Sequence, residues 1–319
     1  MPEGPECAIH AQSLHAALSG ASLLRASILS GRYSGRARAP HQWSTLLQLL
    51  PAKVEAVHSK GKLIYWLLQP EDPQFEGELS LWSTLGMSGG WALERTAHSR
   101  VCLEIDAECG RFFVFYNDQR NFGVLTVCLR RAQLEAKLAS LGPDWLGARE
   151  PIGSSAGARA DGLPLCDFLS IVHSQCSNRR RAAVPVAKFL MDQKKTSGIG
   201  NYLLSEILFK ARVYPWARCG ALAEADWARD HAAALETTRA SYAAQSLLAL
   251  DGDASAPTLS ATRGTLTAIE PSFTLLVYRR ERTACGSRVL RDTGPHGRSV
   301  FWVPEMQLCG REDLAELSP

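Results

Sequence analysis

The sequence predicts an α+β fold in two domains. Seven short β-like runs crowd into the first half of the chain, helical segments fill most of the second, and a Gly/Ala/Ser/Pro-rich stretch at 147–164 divides them. A chain of 319 residues has room for two domains, and 46% hydrophobic against 21% charged residues is enough apolar material for a real core.

The elements follow in order. MPEGPE opens the chain, and Pro and Glu both favour the first turn of a helix: Pro has no N–H to lose there, and Glu complements the helix dipole. A helix is therefore expected over Cys7–Leu18. The runs ASLLRASIL, KVEAVHSK, KLIYWLL, GELSLWSTL, SRVCLEID, RFFVFYND and FGVLTVC are separated by turn residues at the spacing of a β-sandwich or barrel, so residues 1–146 read as an N-terminal helix plus β-sandwich domain. Residues 147–164 read as a linker. LCDFLSIVHSQC, VAKFLMDQ, NYLLSEILFKAR and the Ala-rich run 224–250 follow as helices. A second loop-like stretch, DGDASAPTLSATRGTLTAIEP, leads to two β-like runs, FTLLVY and the basic segment ending near VFWVPEM.

Composition excludes several classes. There is neither a run of about 18 apolar residues nor a charged-then-apolar leader, so the expectation is an intracellular protein, nuclear if its source is eukaryotic, with no membrane partner. Nine irregularly spaced Cys with no CxxC pair argue for reduced thiols rather than a disulfide framework. The net charge is only +3, yet residues 271–311 hold seven Arg against Glu281, Asp292 and Glu305, a local excess larger than that of the whole chain and suited to nucleic acid.

Chemistry concentrates in five stretches. If Met1 is removed, Pro2 carries a secondary amine of the α-amino class, with a pKa near 8 rather than the ~10.4 of Lys. Such an amine is a nucleophile at neutral pH, able to form a Schiff base with a sugar carbon while Glu3 moves protons. The alternative is a plain helix start. In HSKGKLIYWLL, Lys60 and Lys62 flank Gly61 as a solvated or phosphate-binding turn. LGMSGGW sets Met87 on a Gly-flanked tip, and NDQRNFG puts Arg120 and Phe122 beside another turn; core packing is one reading, insertion into a base stack the other. In DQKKTSGIGNYLLSEILFKARVYPW, Gly198 and Gly200 bracket a turn that opens a helix at Asn201, leaving free N–H groups for a phosphate, with Lys194 beside them.

These five motifs, in this order and across most of the chain, resemble the formamidopyrimidine-DNA glycosylase/endonuclease VIII (Fpg/Nei) family. The resemblance implies that the Pro2 amine attacks C1′ of a damaged nucleotide, that Glu3 is the acid/base, that Glu6 supports the site and that Lys62 contacts DNA near the lesion. It implies that Met87, Arg120 and Phe122 fill the gap left by an everted base, and that Lys194 and Asn201 hold phosphate within a helix–two-turn–helix domain at 165–270. Most members end in a four-Cys zinc finger. Here Cys285 has no CxxC partner, and Val303 and Met306 stand where the second Cys pair would fall, while Arg298 keeps the place of the finger's central Arg. Residues 271–311 therefore resemble the zincless finger of some endonuclease VIII-like and plant or fungal Fpg-like members, with no metal and no other cofactor.

The function so implied is a bifunctional glycosylase/lyase of base-excision repair, acting as a monomer on damaged DNA by a Pro2 Schiff base and β,δ-elimination. Gly4 leans the expected substrates toward oxidised pyrimidines and hydantoins over 8-oxoguanine, and the VPEMQ ending leans toward the Fpg-like group. Two rivals remain: a catalytically silent damage-binding protein, and an abasic-site lyase with little glycosylase activity.

Overall fold

The structure, a computed structural model, describes residues 2–34, 39–147, 162–245 and 273–310, together with the backbone of 246–250. It divides into two units, one of residues 1–140, 150–157 and 242–270 and the other of 141–149, 158–241 and 271–319. The expected linker and the loop-like stretch after Leu250 fall largely outside the described residues.

The first unit opens with α1 (Gly4–Leu18), followed by β1 (Ser22–Ile28), a 3-10 turn (Gly31–Tyr33), α2 (Trp43–Gln48), β2 (Ala52–Lys60), β3 (Leu63–Pro70) and β4 (Leu79–Thr84). Next come β5 (Gly89–Ala92), β6 (Ser99–Ala107), β7 (Gly110–Asp118), β8 (Val124–Cys128) and α3 (Arg131–Ala139). The strands form one antiparallel sheet in the order β5-β7-β6-β1-β2-β3-β4-β8. Pairing between β1 and β2 is limited to Ser22↔Lys53 and Leu23↔Ala52, and there the sheet turns. Its two halves meet face to face as a β-sandwich: the Tyr116 hydroxyl on β7 donates to the Thr84 carbonyl on β4 at 2.9 Å, and Trp91 Nε1 on β5 donates to Ser83 Oγ on β4 at 3.1 Å. The rings of Trp66, Trp91 and Tyr116 stack between the halves, with neighbouring centroids 5.1 Å apart. Leu14 and Leu18 of α1 are fully buried in the same core, which fixes the helix on the sheet. All seven expected strands are present. The eighth, β5, has only four residues, two of them Gly, and reads in the sequence as a turn.

The second unit contains α4 (Leu165–Cys176), α5 (Arg179–Ala182), α6 (Val186–Met191), α7 (Asn201–Ala211), the first turns of α8 (Glu224–Leu250), β9 (Leu290–Thr293) and β10 (Ser299–Trp302). Phe168, Phe189, Trp227 and Trp145 pack together as its aromatic centre. β9 and β10 form an antiparallel hairpin whose second strand lies against α7: Phe301 N–H donates to Ser205 Oγ at 3.3 Å, and Asn201 Nδ2 to the Ser299 carbonyl at 2.6 Å. FTLLVY is not a strand. The N–H groups of Leu276, Val277 and Tyr278 all converge on the buried Glu206 carboxylate at 2.8–3.0 Å, and three consecutive donors aimed at one acceptor cannot alternate as a strand requires. None of the described helices is long and apolar enough to cross a membrane.

Candidate functional site

The first cluster lies at the start of α1. Glu3 is its N-cap and Glu6 its third residue, so Glu6 Oε2 reaches back to accept the Glu3 N–H at 2.7 Å. That bond fixes the backbone just after Pro2. Pro2, Glu3 and Glu6 are all buried, Glu3 completely. Two further side chains meet this helix: Gln245 Nε2 donates to Glu6 Oε1 at 2.6 Å, and the Tyr242 hydroxyl donates to Gln12 Oε1. One turn beyond Glu6, the ring of His10 is buried beside Gly90 with neither nitrogen hydrogen-bonded among the described residues. Burial holds its pKa down to about 4, so it is neutral at physiological pH.

A second cluster assembles the two turns that carry Met87, Arg120 and Phe122. Gly86 stands with φ +61 against the backbone of Phe122 and Gly123, so the Met87 turn and the Phe122 turn touch through main chain. The buried Asp118 carboxylate ties them: it accepts Ser88 Oγ–H at 2.9 Å, Arg120 N–H at 3.2 Å and Gly123 N–H at 2.8 Å. Arg32 N–H donates to Asn121 Oδ1 at 3.2 Å, and Arg100 donates from Nε to the Asp118 carbonyl at 2.8 Å. Met87 is half-buried, whereas Arg120 and Phe122 face outward. Phe122 is 53% exposed, and the exposed Arg120 guanidinium lies 5.1 Å from its ring centroid. An exposed apolar ring next to a cation thus stands on a turn braced by Asp118. Lys62 is half-buried in the turn between β2 and β3, directly after Gly61 at φ +55.

The third cluster belongs to the second unit. Gln193 folds the turn before α7: its Oε1 accepts Gly198 N–H at 3.0 Å and its Nε2 donates to the Ile199 carbonyl at 2.9 Å. This presents the N-terminus of α7, with Lys194 exposed beside it. Asn201 is buried, and its amide nitrogen is committed to Ser299, the residue after Arg298. The helix start and the hairpin tip are therefore joined, and Arg298 is exposed at that tip.

The hairpin is held by side-chain packing. Val300 and Val303 are fully buried, Trp302 packs on Tyr214 and Trp216 with centroids 5.2 and 5.4 Å away, and its Nε1 donates to Asp292 Oδ2 at 2.6 Å. Buried Gln307 accepts Val303 N–H at 2.7 Å and donates to the Val213 carbonyl at 2.9 Å, beside Val303 and Met306, the positions of a zinc finger's second Cys pair. The Cys285 thiol is engaged with Thr283 Oγ1 at 3.1 Å, and the Cys309 backbone forms a β-bridge with Val213. Among the described residues no three His, Cys, Asp or Glu side chains stand together to hold a metal.

The sequence reading missed the bracing set: Asp118, Ser88, Arg32 and Arg100 around the turns, Gln193 before α7, Gln307 in the hairpin, and Gln245 and His10 beside α1. Asp118, Ser88, Arg32 and Gln193 had a local signal, since each adjoins a Gly-containing turn; the others had none.

Residues 1–125 match the family described as formamidopyrimidine-DNA glycosylase N-terminal domain. A formamidopyrimidine-DNA glycosylase of Rhodopseudomonas palustris (strain ATCC BAA-98 / CGA009) is 27% identical over 329 residues, covering 96% of this chain and 100% of its own. Another, from Sinorhizobium medicae, is 29% identical over 66% of this chain; the match spans 63% of that relative, and 56% of one from Deinococcus radiodurans. The crystal structure of the MutM (Fpg) protein of Thermus thermophilus superposes with a TM-score of 0.69 at 25% identity, covering 97% of this chain and all of that one. A Lactococcus lactis Fpg bound to DNA containing an abasic site shares the fold, with a TM-score of 0.69 at 17% identity over 96% of this chain and 99% of its own.

Proposed function

We propose that the chain is a member of the formamidopyrimidine-DNA glycosylase/endonuclease VIII family and a base-excision repair enzyme that removes oxidised bases and cleaves the strand at the resulting site, a reading supported by the match of residues 1–125 and by relatives similar along the whole chain. The observation that carries this reading is the capping box at the start of α1: the Glu3 N–H bonds to Glu6 Oε2 at 2.7 Å, and the Glu3 side chain in turn accepts the Glu6 N–H, which sets a buried carboxylate one residue after a potential amine nucleophile. With Met1 removed, the Pro2 nitrogen attacks C1′ of the everted nucleotide. The C1′–N bond to the base breaks and the base leaves, while Glu3 protonates the sugar ring oxygen as the ring opens to an iminium. Loss of a C2′ proton expels the 3′ phosphate, a second elimination expels the 5′ phosphate, and water releases the amine. Lys62 contacts DNA near the lesion, Met87, Arg120 and Phe122 occupy the space the base has left, and Lys194 and Arg298 hold phosphate, while the buried Asn201, expected from the sequence to bind phosphate as well, instead ties the start of α7 to the hairpin through Ser299.

The substrate class proposed first is oxidised pyrimidines and hydantoins, on Gly4. The chain works as a monomer without metal: apolar packing and Gln307 support the hairpin. The named relatives are all bacterial, so nothing among them favours a nuclear setting.

Glu3→Gln tests the chemistry. The amide neither donates nor accepts the proton at the sugar, so base release and borohydride trapping should fall by about a thousandfold or more while DNA affinity is retained. Intact-mass analysis of active protein should find no Met1. Equal loss of affinity and rate, or full activity with Met1 retained, refutes the mechanism.

A further inference from the structure

Gln245 lies 239 residues from Glu6 in the chain, yet its amide is placed against the carboxylate that braces the N-terminus. Both residues are counted in the first unit and both are buried, at 7% and 2% exposure. Glu6 thereby accepts two hydrogen bonds in different directions: Oε2 takes the Glu3 N–H at 2.7 Å, and Oε1 takes Gln245 Nε2 at 2.6 Å. A carboxylate held at one oxygen can still rotate about its terminal bonds; one held at both cannot without breaking a contact. One turn earlier on α8, Tyr242 donates to Gln12, so the same helix face grips α1 at a second point. A buried amide is also costly unless bonded, which gives Gln245 a reason to keep this geometry.

We propose that Gln245 is a positioning residue for base excision: by donating to Glu6 Oε1 it locks the carboxylate that holds Glu3 N–H, and so fixes the direction in which Pro2 meets C1′. The inference rests on the reading of Pro2 as nucleophile. Gln245 touches no reacting atom. It acts through Glu6, and its influence falls on the rate of attack rather than on DNA affinity.

The test compares Gln245→Leu, which removes the donor, with Gln245→Lys, which destroys the amide but returns an N–H donor on a long stem. Measurements are single-turnover base release and borohydride trapping at saturating DNA, the dissociation constant for a duplex with a tetrahydrofuran abasic analogue, and melting temperature. Gln245→Leu should trap about tenfold or more slowly with affinity within about twofold of the parent, and Gln245→Lys should recover most of that rate. Equal slowing in both variants, in step with lost melting temperature, assigns Gln245 to packing alone and overturns the proposal, as does an unchanged rate in Gln245→Leu. Should Gln245→Leu not fold, Gln245→Met, of similar length and without a donor, takes its place under the same criteria. Failure of the parent protein to trap DNA at Pro2, located by peptide mass, refutes the nucleophile reading itself and is thereby distinct from a failure confined to the variants.

Discussion

Two arginines stand on exposed turns, Arg120 in the first unit and Arg298 in the second, and the protein holds them in opposite ways. Arg120 projects from a braced turn. Its N–H is shared by Ser88 Oγ at 3.0 Å and Asp118 Oδ1 at 3.2 Å, its guanidinium leans on Phe122, and the neighbouring turn touches it through main chain. Arg298 projects from a tip closed by local bonds, Gly294 N–H to the Arg298 carbonyl at 2.7 Å and Arg298 N–H to His296 Nδ1 at 3.2 Å, and tied to α7 at the next residue, where the Ser299 carbonyl accepts Asn201 Nδ2 at 2.6 Å. The braced arginine suits a task with one geometry, replacing a missing base between fixed neighbours. An arginine on a loose tip suits a phosphate, a point charge that can be approached from many angles.

The largest effects should come from attacking the braced turn. A Cβ on Gly86 would lie 2.7 Å from Gly123 N and 2.8 Å from the Phe122 carbonyl carbon, in a backbone conformation that already disfavours side chains. Gly86→Ala should therefore cost roughly 3–5 kcal/mol, read as a large drop in melting temperature, and should uncouple Met87 from Phe122. Asp118→Ala leaves two N–H groups and a hydroxyl without their shared acceptor and should cost about 2–4 kcal/mol. If either variant kept parental stability and parental excision from paired duplex, the turn would not be braced as described.

Removing the arginines themselves should separate the two tasks. Arg120→Ala should slow excision from paired duplex more than cleavage at an abasic site, where no base has to be evicted. Arg298→Ala should weaken both reactions together and lower the salt slope of binding by about one. Equal depression of both activities by both variants would erase the proposed division of labour.

These contrasts also show what the sequence could disclose. Short β-like runs bounded by turn residues located β2, β3 and β6, and helix patterning located α4 and α7. FTLLVY has the composition of a strand, but its N–H groups are claimed by Glu206, a residue about 70 positions earlier, and no local signal announces that. The candidate site divides in the same way. Pro2, Glu3 and Glu6 are contiguous, and Met87, Arg120 and Phe122 carry their turn glycines with them, so both sets are visible as strings. Gln245 on Glu6 and Gln307 on Val213 are tertiary pairings of ordinary polar residues. Such residues read as surface until the fold shows them buried.

The smallest effect belongs to the loose tip, and it is the sharpest check on the comparison. Gly297 has φ +75, like Gly86 in the left-handed region, but a Cβ added there meets nothing within 4 Å. The two glycines share a backbone constraint and differ only in surroundings. Gly297→Ala should therefore cost only the conformational strain, about 1 kcal/mol, a shift of a few degrees at most in melting temperature. Because the space around Gly297 is open, the turn can relax and the guanidinium can still find a phosphate, so affinity should change by less than about threefold. Base release and abasic-site cleavage should slow together if at all. A Gly297→Ala variant as damaged as Gly86→Ala would mean that the tip is as tightly specified as the braced turn, and Arg298 would then have to be treated as a fixed-geometry contact like Arg120.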